Sequence, residues 1–298
     1  MTISDQPEAS RAGRIAPGSN GASLARRLYR RSPLRALIRV HWDHRGLRPN
    51  DVILASYPRS GSAWLRFLLI ELISGNASFA RITAEAGYVG RHRSAPALVP
   101  GGGRLVKSHE QYLGRYRRAV HLVRDPRDVA LSYFHFMQRI GRVHPRPGDD
   151  LDASLDRFIR AFLAGHCDAH GTWQSHLLSW LSASESGRAN VLRVRYEDLR
   201  ADAPRELLRI ARWLGLDVDA GAAARTVERC SIERMRESEA IDLASDRSVF
   251  PRAARKSGLR LVNEGRVGGW REVLNDDQRR LFRKAFAPGL EAMGYPLE

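Results

Sequence analysis

Two short loops in this chain carry the residue types that bind anions, and each stands between an apolar run and a helical pattern. The first lies in VILASYPRSGSAWL, residues 52–65. Val52, Ile53 and Leu54 break into Pro58-Arg59-Ser60-Gly61-Ser62, and Trp64 through Leu69 follow with helical spacing. A strand, tight loop and helix in that order aim successive backbone N–H groups and the positive end of the helix dipole at one point. Arg59 adds a fixed positive charge there. The nucleotide loop GxxxxGK[ST] is absent, and no Gly-Lys pair occurs in the sequence. The loop therefore reads as a phosphate cradle that is not built for ATP or GTP with magnesium.

The second loop lies in AVHLVRDPRDVALSYFHFMQ, residues 119–138. Its apolar run ends in Arg124-Asp125-Pro126-Arg127-Asp128. Asp125 suits a helix N-cap and Pro126 the first helical position. Arg124 falls at a strand's carboxyl end, where open α/β sheets bind ligands. An alternative is an arginine paired to Asp125 or Asp128, which suits Arg127 better than Arg124.

The elements that must position these loops follow from periodicity. Strands are expected at 52–57, 104–108, 119–124 and 191–196, and helices at 62–74, 126–138, 151–165, 170–183 and 202–214. Strands alternating with helices imply a parallel sheet covered on both faces. The fold class is α/β, three layers with a central parallel sheet flanked by helices, like that of P-loop nucleotide-binding proteins.

The 298 residues suffice for one large domain. Residues 1–21, rich in Ser, Gly, Pro and Ala, read as a disordered tail. Residues 22–48 read as a basic helical arm divided by Pro33, and 49–298 as the domain. Segments 91–103 and 139–150 read as mobile loops, of the kind that serve as substrate lids, and variable loops 78–103 and 139–150 are expected to supply the pocket walls. Two cysteines, Cys167 and Cys230, suggest neither a disulfide framework nor a zinc site. With no signal peptide or membrane span, a cytoplasmic location is expected. The net charge of +16, nearly all from arginine, points to an anionic partner: cofactor, nucleic acid or membrane.

Together the two loops resemble those of the PAPS-dependent sulfotransferases, which move a sulfuryl group from 3′-phosphoadenosine 5′-phosphosulfate (PAPS) to a hydroxyl or amine. SYPRSGSAWLR is similar to the family's 5′-phosphosulfate loop, and VRDPRDVALSYFHF to its 3′-phosphate motif. The similarity continues through RLVKSH, VLRVRYEDL and GRVGGW. It implies PAPS as co-substrate, no metal, and release of adenosine 3′,5′-bisphosphate (PAP). It further implies that Arg59, Ser60, Gly61, Ser62 and Ala63 hold the 5′ side, and that Arg124 and Ser132 hold the 3′-phosphate. Trp64 and Tyr196 match positions that contact adenine; Ser231, Gly265 and Arg266 complete the nucleotide site.

Sulfuryl transfer requires in-line approach, a base for the acceptor proton and positive groups for charge on the leaving phosphate. His109 ends an apolar strand, stands in a KSH segment that matches the family's KTH, and is the expected base. Glu110 is the fallback base. Lys107 and Arg59 supply positive charge; arginine, with a pKa above about 12, neutralises charge rather than donating a proton.

Several positions depart from the family pattern. Ile232 stands where an aromatic is usual, and Asn263-Glu264 where Arg-Lys is usual, so Glu264 would repel a 3′-phosphate that Arg266 would attract. Asn275-Asp276 replaces the Thr-Val of the short dimer motif. Two other classes stay open: a P-loop kinase-like phosphoryl transferase, disfavoured by the absent Gly-Lys, and a basic nucleic-acid or membrane-surface binder. In the latter the N-terminal arm would make peripheral contact with anionic surfaces. The acceptor, a small molecule or a sugar, is not specified.

Overall fold

The computed structural model describes residues 40–143, 150–245, 249, 260–262 and 264–298. The expected tail 1–21, the arm up to residue 39, residues 144–149 of the segment 139–150 and Asn263 lie outside the described residues. The chain divides into two units, Met1–Arg45 and Gly46–Glu298. Of the first, residues 40–43 are helical.

The second unit holds a four-stranded parallel sheet in the order β2-β1-β3-β4. The strands are β1 (Val52–Ser56), β2 (Leu105–Ser108), β3 (Arg118–Val123) and β4 (Asn190–Arg195). Side chains alternate between two buried faces, as a sheet covered on both sides requires. Val52, Leu54, Val120 and Leu122 join one core cluster, while Ile53, Ala55, Val106 and Ala119 join another around Trp180.

Helices α1 (Ser62–Ser74) and α2 (Phe79–Glu85) follow β1, and α3 (Pro126–Arg139) follows β3. Next come α4 (Leu151–Leu163) and α5 (Trp173–Glu185). Beyond β4 the chain continues as α6 (Tyr196–Ala201), α7 (Ala203–Leu214), α8 (Ala220–Arg229), α9 (Ile232–Ala244), α10 (Trp270–Val273) and α11 (Asp276–Ala292). Every expected strand and helix is present, with boundaries moved by a few residues. Tyr196 is a correction: it opens α6 rather than ending a strand. The periodicity reading ends at residue 214, and α2 and α8–α11 are additions. Asp125 caps α3 by accepting from the Arg127 amide, with Pro126 at the helix start. Asn275, at the unmatched dimer position, caps α11: its side chain accepts from Gln278 N while Gln278 accepts from Asn275 N.

The register carries the functional consequence. Ala55 pairs with Ser108, Ser56 with Leu122, and Val123 with Arg195. The residues immediately beyond these pairs are therefore Tyr57, His109, Arg124 and Tyr196, side by side along one edge. The chain leaves β1 toward β2 and returns on the other side as β3. The β1–β3 boundary is thus a topological switch point, and its carboxyl end is where such sheets bind ligands.

Candidate active site

At that edge lies a cavity of about 860 Å³, within the size range of ligand sites. Arg59, Gly61, Ser62, Ala63, Trp64, Lys107, His109, Arg124, Ser132, Tyr196, Gly265 and Arg266 all line it, as the resemblance implied. Two expected residues do not. Ser60 is buried, its hydroxyl without a partner and off the cavity wall. Ser231 caps α9, accepting from the Arg234 amide.

The loop after β1 turns through two left-handed residues, Arg59 (φ 69°) and Gly61 (φ 99°). Gly61 is required here on two counts: its backbone angle, and the 2.6 Å that would separate an added Cβ from the Tyr196 ring. No side chain caps α1, so the first-turn N–H groups lack intrahelical acceptors and face the loop's concavity.

Arg59 turns toward α3: its Nε donates to Ser132 Oγ (3.3 Å), its Nη2 to the Leu261 carbonyl (3.3 Å), and its guanidinium lies 4.8 Å over Phe136. Burial, with Arg124 and Arg139 nearby, lowers its pKa to about 10. It stays cationic at neutral pH, below the value of 12 expected from its type.

Arg124 is buried on the edge between the loop and the chain's C-terminal third. Its Nη2 donates to the Arg266 carbonyl (2.7 Å) and its Nη1 to the Arg59 carbonyl (3.3 Å), while its plane lies 4.5 Å over Tyr196. Its Nε is buried with no partner among the described residues. Arg127, in contrast, is spent on a bidentate pair with Asp125 (2.9 and 2.7 Å) and packs 3.6 Å over Trp270. Asp128 accepts from the amides of Gly268 (2.8 Å) and Trp270 (3.1 Å). One motif thus holds the other in place. Arg266 itself points to Glu272 (2.8 Å), so its carbonyl rather than its side chain meets Arg124. Glu264 is exposed and lines the cavity.

Trp64 donates its indole N–H to the Cys230 carbonyl (3.2 Å) and meets Tyr196 edge-on, with Arg200 5.4 Å over its ring. The Tyr196 hydroxyl donates to the Gly265 carbonyl (3.3 Å).

At the β2 end, His109 Nδ1 lies 2.6 Å from the Ser56 carbonyl, which fixes Nδ1 as the donor and leaves Nε2 with its lone pair. Burial, followed by Lys107 and His170, pushes the imidazole pKa well below 6.5 and outweighs the carbonyl bond. Lys107 Nζ donates to the Tyr88 hydroxyl (2.6 Å), which lies 3.4 Å from His109 Nε2. Burial, with Arg66 and Arg59 close by, holds the Lys107 ammonium well below its ordinary range. Glu110 does not line the cavity; its carboxylate faces His170 Nδ1 at 3.6 Å.

Tyr88, His170, Asp168 and Tyr133 also form the wall; Tyr88 comes from the segment 78–103 expected to supply it, and the other three were not singled out in the sequence. Tyr133 donates to Asp168 (2.7 Å), and the Asp168 carboxylate also accepts from the His170 amide (2.7 Å). No local pattern marks Tyr88: a backbone bridge to Lys107 brings it in from a loop.

A central parallel sheet, an uncapped helix start and an arginine with an orphaned N–H at the switch point define a P-loop-like enzyme that binds an anionic nucleotide. Comparison with known proteins gives its family. Residues 104–294 match the sulfotransferase domain, so this chain belongs to the sulfotransferase family. It is 26% identical to sulfotransferase 1A1 of Bos taurus over 258 residues, covering 80% of this chain and 83% of the relative. The structure of mouse SULT7A1 complexed with PAP superposes with a TM-score of 0.60 at 25% identity, over 84% of this chain and 86% of that one. A retinol dehydratase in complex with androsterone and PAP superposes at 0.62 and 20% identity, over 84% and 82%, and shares the fold. The family match begins at Arg104, beyond the loop 57–62; the relatives' coverage extends into the N-terminal third. The chain is thus a sulfotransferase. Among the described residues, no single helix is long and apolar enough to cross a membrane.

Proposed function

We propose that this cavity transfers the sulfuryl group to a hydroxyl of a small-molecule acceptor, with His109 as general base. The observation that carries this reading is the 2.6 Å bond from His109 Nδ1 to the Ser56 carbonyl, which leaves the Nε2 lone pair as acceptor, facing the Tyr88 hydroxyl to which Lys107 donates. When bound, PAPS supplies the activated sulfuryl group and a phosphate leaving group. His109 takes the acceptor's proton as the new S–O bond forms. Lys107 and Arg59 stabilise charge on the leaving phosphate. Lys107, whose pKa is depressed by burial and neighbouring arginines, is also able to give that phosphate a proton; Arg59 contributes charge alone.

The residues fit the nucleotide. The N–H groups of the uncapped α1 start, with Ser62, suit the 5′-phosphate. The orphaned Arg124 Nε suits the 3′-phosphate, with Ser132 beside it. Trp64 and Tyr196 suit adenine. Ser60 closes the loop through its backbone N–H on the Tyr57 carbonyl (3.3 Å), Ser231 caps α9, and the backbone of Gly265 and Arg266 closes the site. In a thermal melt, PAP at a hundredfold excess over Kd should stabilise the enzyme by about 2.7 kcal/mol. ADP with magnesium should do little. No shift with millimolar PAP overturns this assignment of the site.

We place the enzyme in the cytoplasm, supported by two free cysteines. The basic segment 22–48 is proposed to touch anionic surfaces. Deleting residues 1–48 should then abolish salt-sensitive binding to anionic vesicles.

A further inference from the structure

The cavity wall carries more positive charge than its nucleotide needs. Among the described residues, nine arginines and one lysine line it, against two aspartates and one glutamate. The donor brings about four negative charges, two on its 3′-phosphate and two on its phosphosulfate. Even with Arg266 answered by Glu272, positive charge is left over once the nucleotide is in place.

Part of that surplus sits at the end of the sheet edge farthest from the adenine side. The edge runs from β2, with His109, through the loop and Arg124 to β4, with Tyr196. Tyr88 is bridged to Lys107 on β2, and Arg66 and Arg91 belong to its surroundings. Arg66 is only 6% exposed. Its Nη1 donates to the carbonyls of Ile82 (3.1 Å) and Ala86 (3.2 Å), just before Tyr88, and its Nε reaches the Ser62 carbonyl (3.4 Å). These bonds engage Nε and Nη1 but leave the charge unanswered, since no described carboxylate pairs with it. A buried guanidinium without a counterion is costly unless an anion reaches it. Burial lowers its pKa to about 10, so it remains charged at neutral pH. Arg91 lies on the turn after Tyr88, its backbone N–H on the Tyr88 carbonyl (2.9 Å) and its side chain exposed. Tyr88 itself is 46% exposed, a ring face on which a planar acceptor can pack.

We propose that Arg66 and Arg91 form an anion subsite at the β2 end of the cavity, and that the acceptor is a hydroxy compound bearing its own carboxylate, phosphate or sulfate. The inference rests on the sulfotransferase reading above. The anion docks against Arg66 and Arg91 while the hydroxyl, beyond the Tyr88 ring, approaches His109.

Titration calorimetry tests it in two stages. PAP is titrated first; failure at this stage refutes the nucleotide site and leaves the acceptor subsite without a basis. The PAP complex is then titrated with 2-naphthol and with 6-hydroxy-2-naphthoate, which differ by one carboxylate. The carboxylate is expected to bind at least about tenfold tighter, the worth of one charge-assisted contact. That advantage should shrink toward unity in Arg91→Gln, whose exposed site tolerates the change, and in Arg66→Met if it folds. Equal affinities, or no carboxylate binding at millimolar concentration, overturn the subsite. A preference unchanged in Arg91→Gln and in any folded Arg66→Met also overturns it, because the anion then lies in the space left by the sulfuryl group.

Discussion

The chemistry depends on single atoms whose roles are fixed by their neighbours. As the proposed base, His109 depends on the Ser56 carbonyl, which claims Nδ1 and leaves Nε2 as the acceptor. His109→Ala should lower turnover by about 10²- to 10⁴-fold while PAP affinity holds. Its pKa is depressed by burial, Lys107 and His170, so the active neutral form persists below the ordinary imidazole value. The pH profile of kcat/KM should therefore stay flat as pH falls through about 6.5, with the acid limb lying lower. A midpoint near 6.5 would assign the limb to another group. Arg124→Ala should weaken PAP by about ten- to a hundredfold and adenosine 5′-phosphosulfate much less, since only PAP carries the 3′-phosphate. Glu264→Lys should tighten PAP, by replacing repulsion with attraction. Calorimetry on both variants decides this, and equal losses for the two ligands in Arg124→Ala would remove Arg124 from the 3′-phosphate.

At the scale of elements, the loop after β1 is a device for aiming an uncapped helix at an anion. Its tightness rests on Gly61, whose φ of 99° and 2.6 Å clearance from Tyr196 leave no room for a side chain. Gly61→Ala should cost about 1–3 kcal/mol of stability from backbone strain alone. It should also push Tyr196 aside and weaken PAP. Denaturation and PAP titration of the same variant separate the two losses, and a stable variant with normal PAP affinity would show that the loop relaxes freely. The second motif works differently. Asp125 and Arg127 lock α3, and Asp128 grips the amides of Gly268 and Trp270. Within this motif, the Arg124 Nε keeps a buried N–H without an acceptor among the described residues.

On the scale of the whole domain, the sheet must keep its carboxyl ends level, and a buried ion pair at the opposite end anchors the β1–β2 register. Arg104, before β2, donates to Asp51, before β1, through Nε (3.0 Å) and Nη2 (2.6 Å). Burial alone would raise the Asp51 pKa, but Arg104 and the backbone donors outweigh it and hold the value below 3.8. A depressed carboxylate pKa contributes stability that is present above its unfolded value of about 3.9 and is lost as pH falls through the folded one. Stability should thus drop below pH about 4, and Asp51→Asn should remove that part of the pH dependence. Arg104→Met leaves a buried carboxylate unpaired and should cost about 3–5 kcal/mol, read by urea denaturation. A loss under about 1 kcal/mol would show that water reaches Asp51.

The sequence by itself determined the alternation of strands and helices, the two anion loops, and which strand ends carry Arg124 and His109. These are local matters: period-two and period-3.6 patterns, an N-cap at Asp125, a proline at the helix start. It also led to the sulfotransferase family. What it left open is what each cation faces. Arg124 and Arg266 look alike in sequence, whereas Arg127 was already the better match for Asp125. The folded chain bears out the Arg127–Asp125 pair, gives Arg266 to Glu272, and leaves the buried Arg124 Nε without an acceptor among the described residues. Tyr88 and Arg66 carry no local mark of function, and it is the fold that brings them beside Lys107. The physical reason is range: capping, periodicity and the Asp125–Arg127 pair act within a turn or two, whereas the surroundings of Arg124, Arg66 and Tyr88 are set by residues tens to more than a hundred positions away.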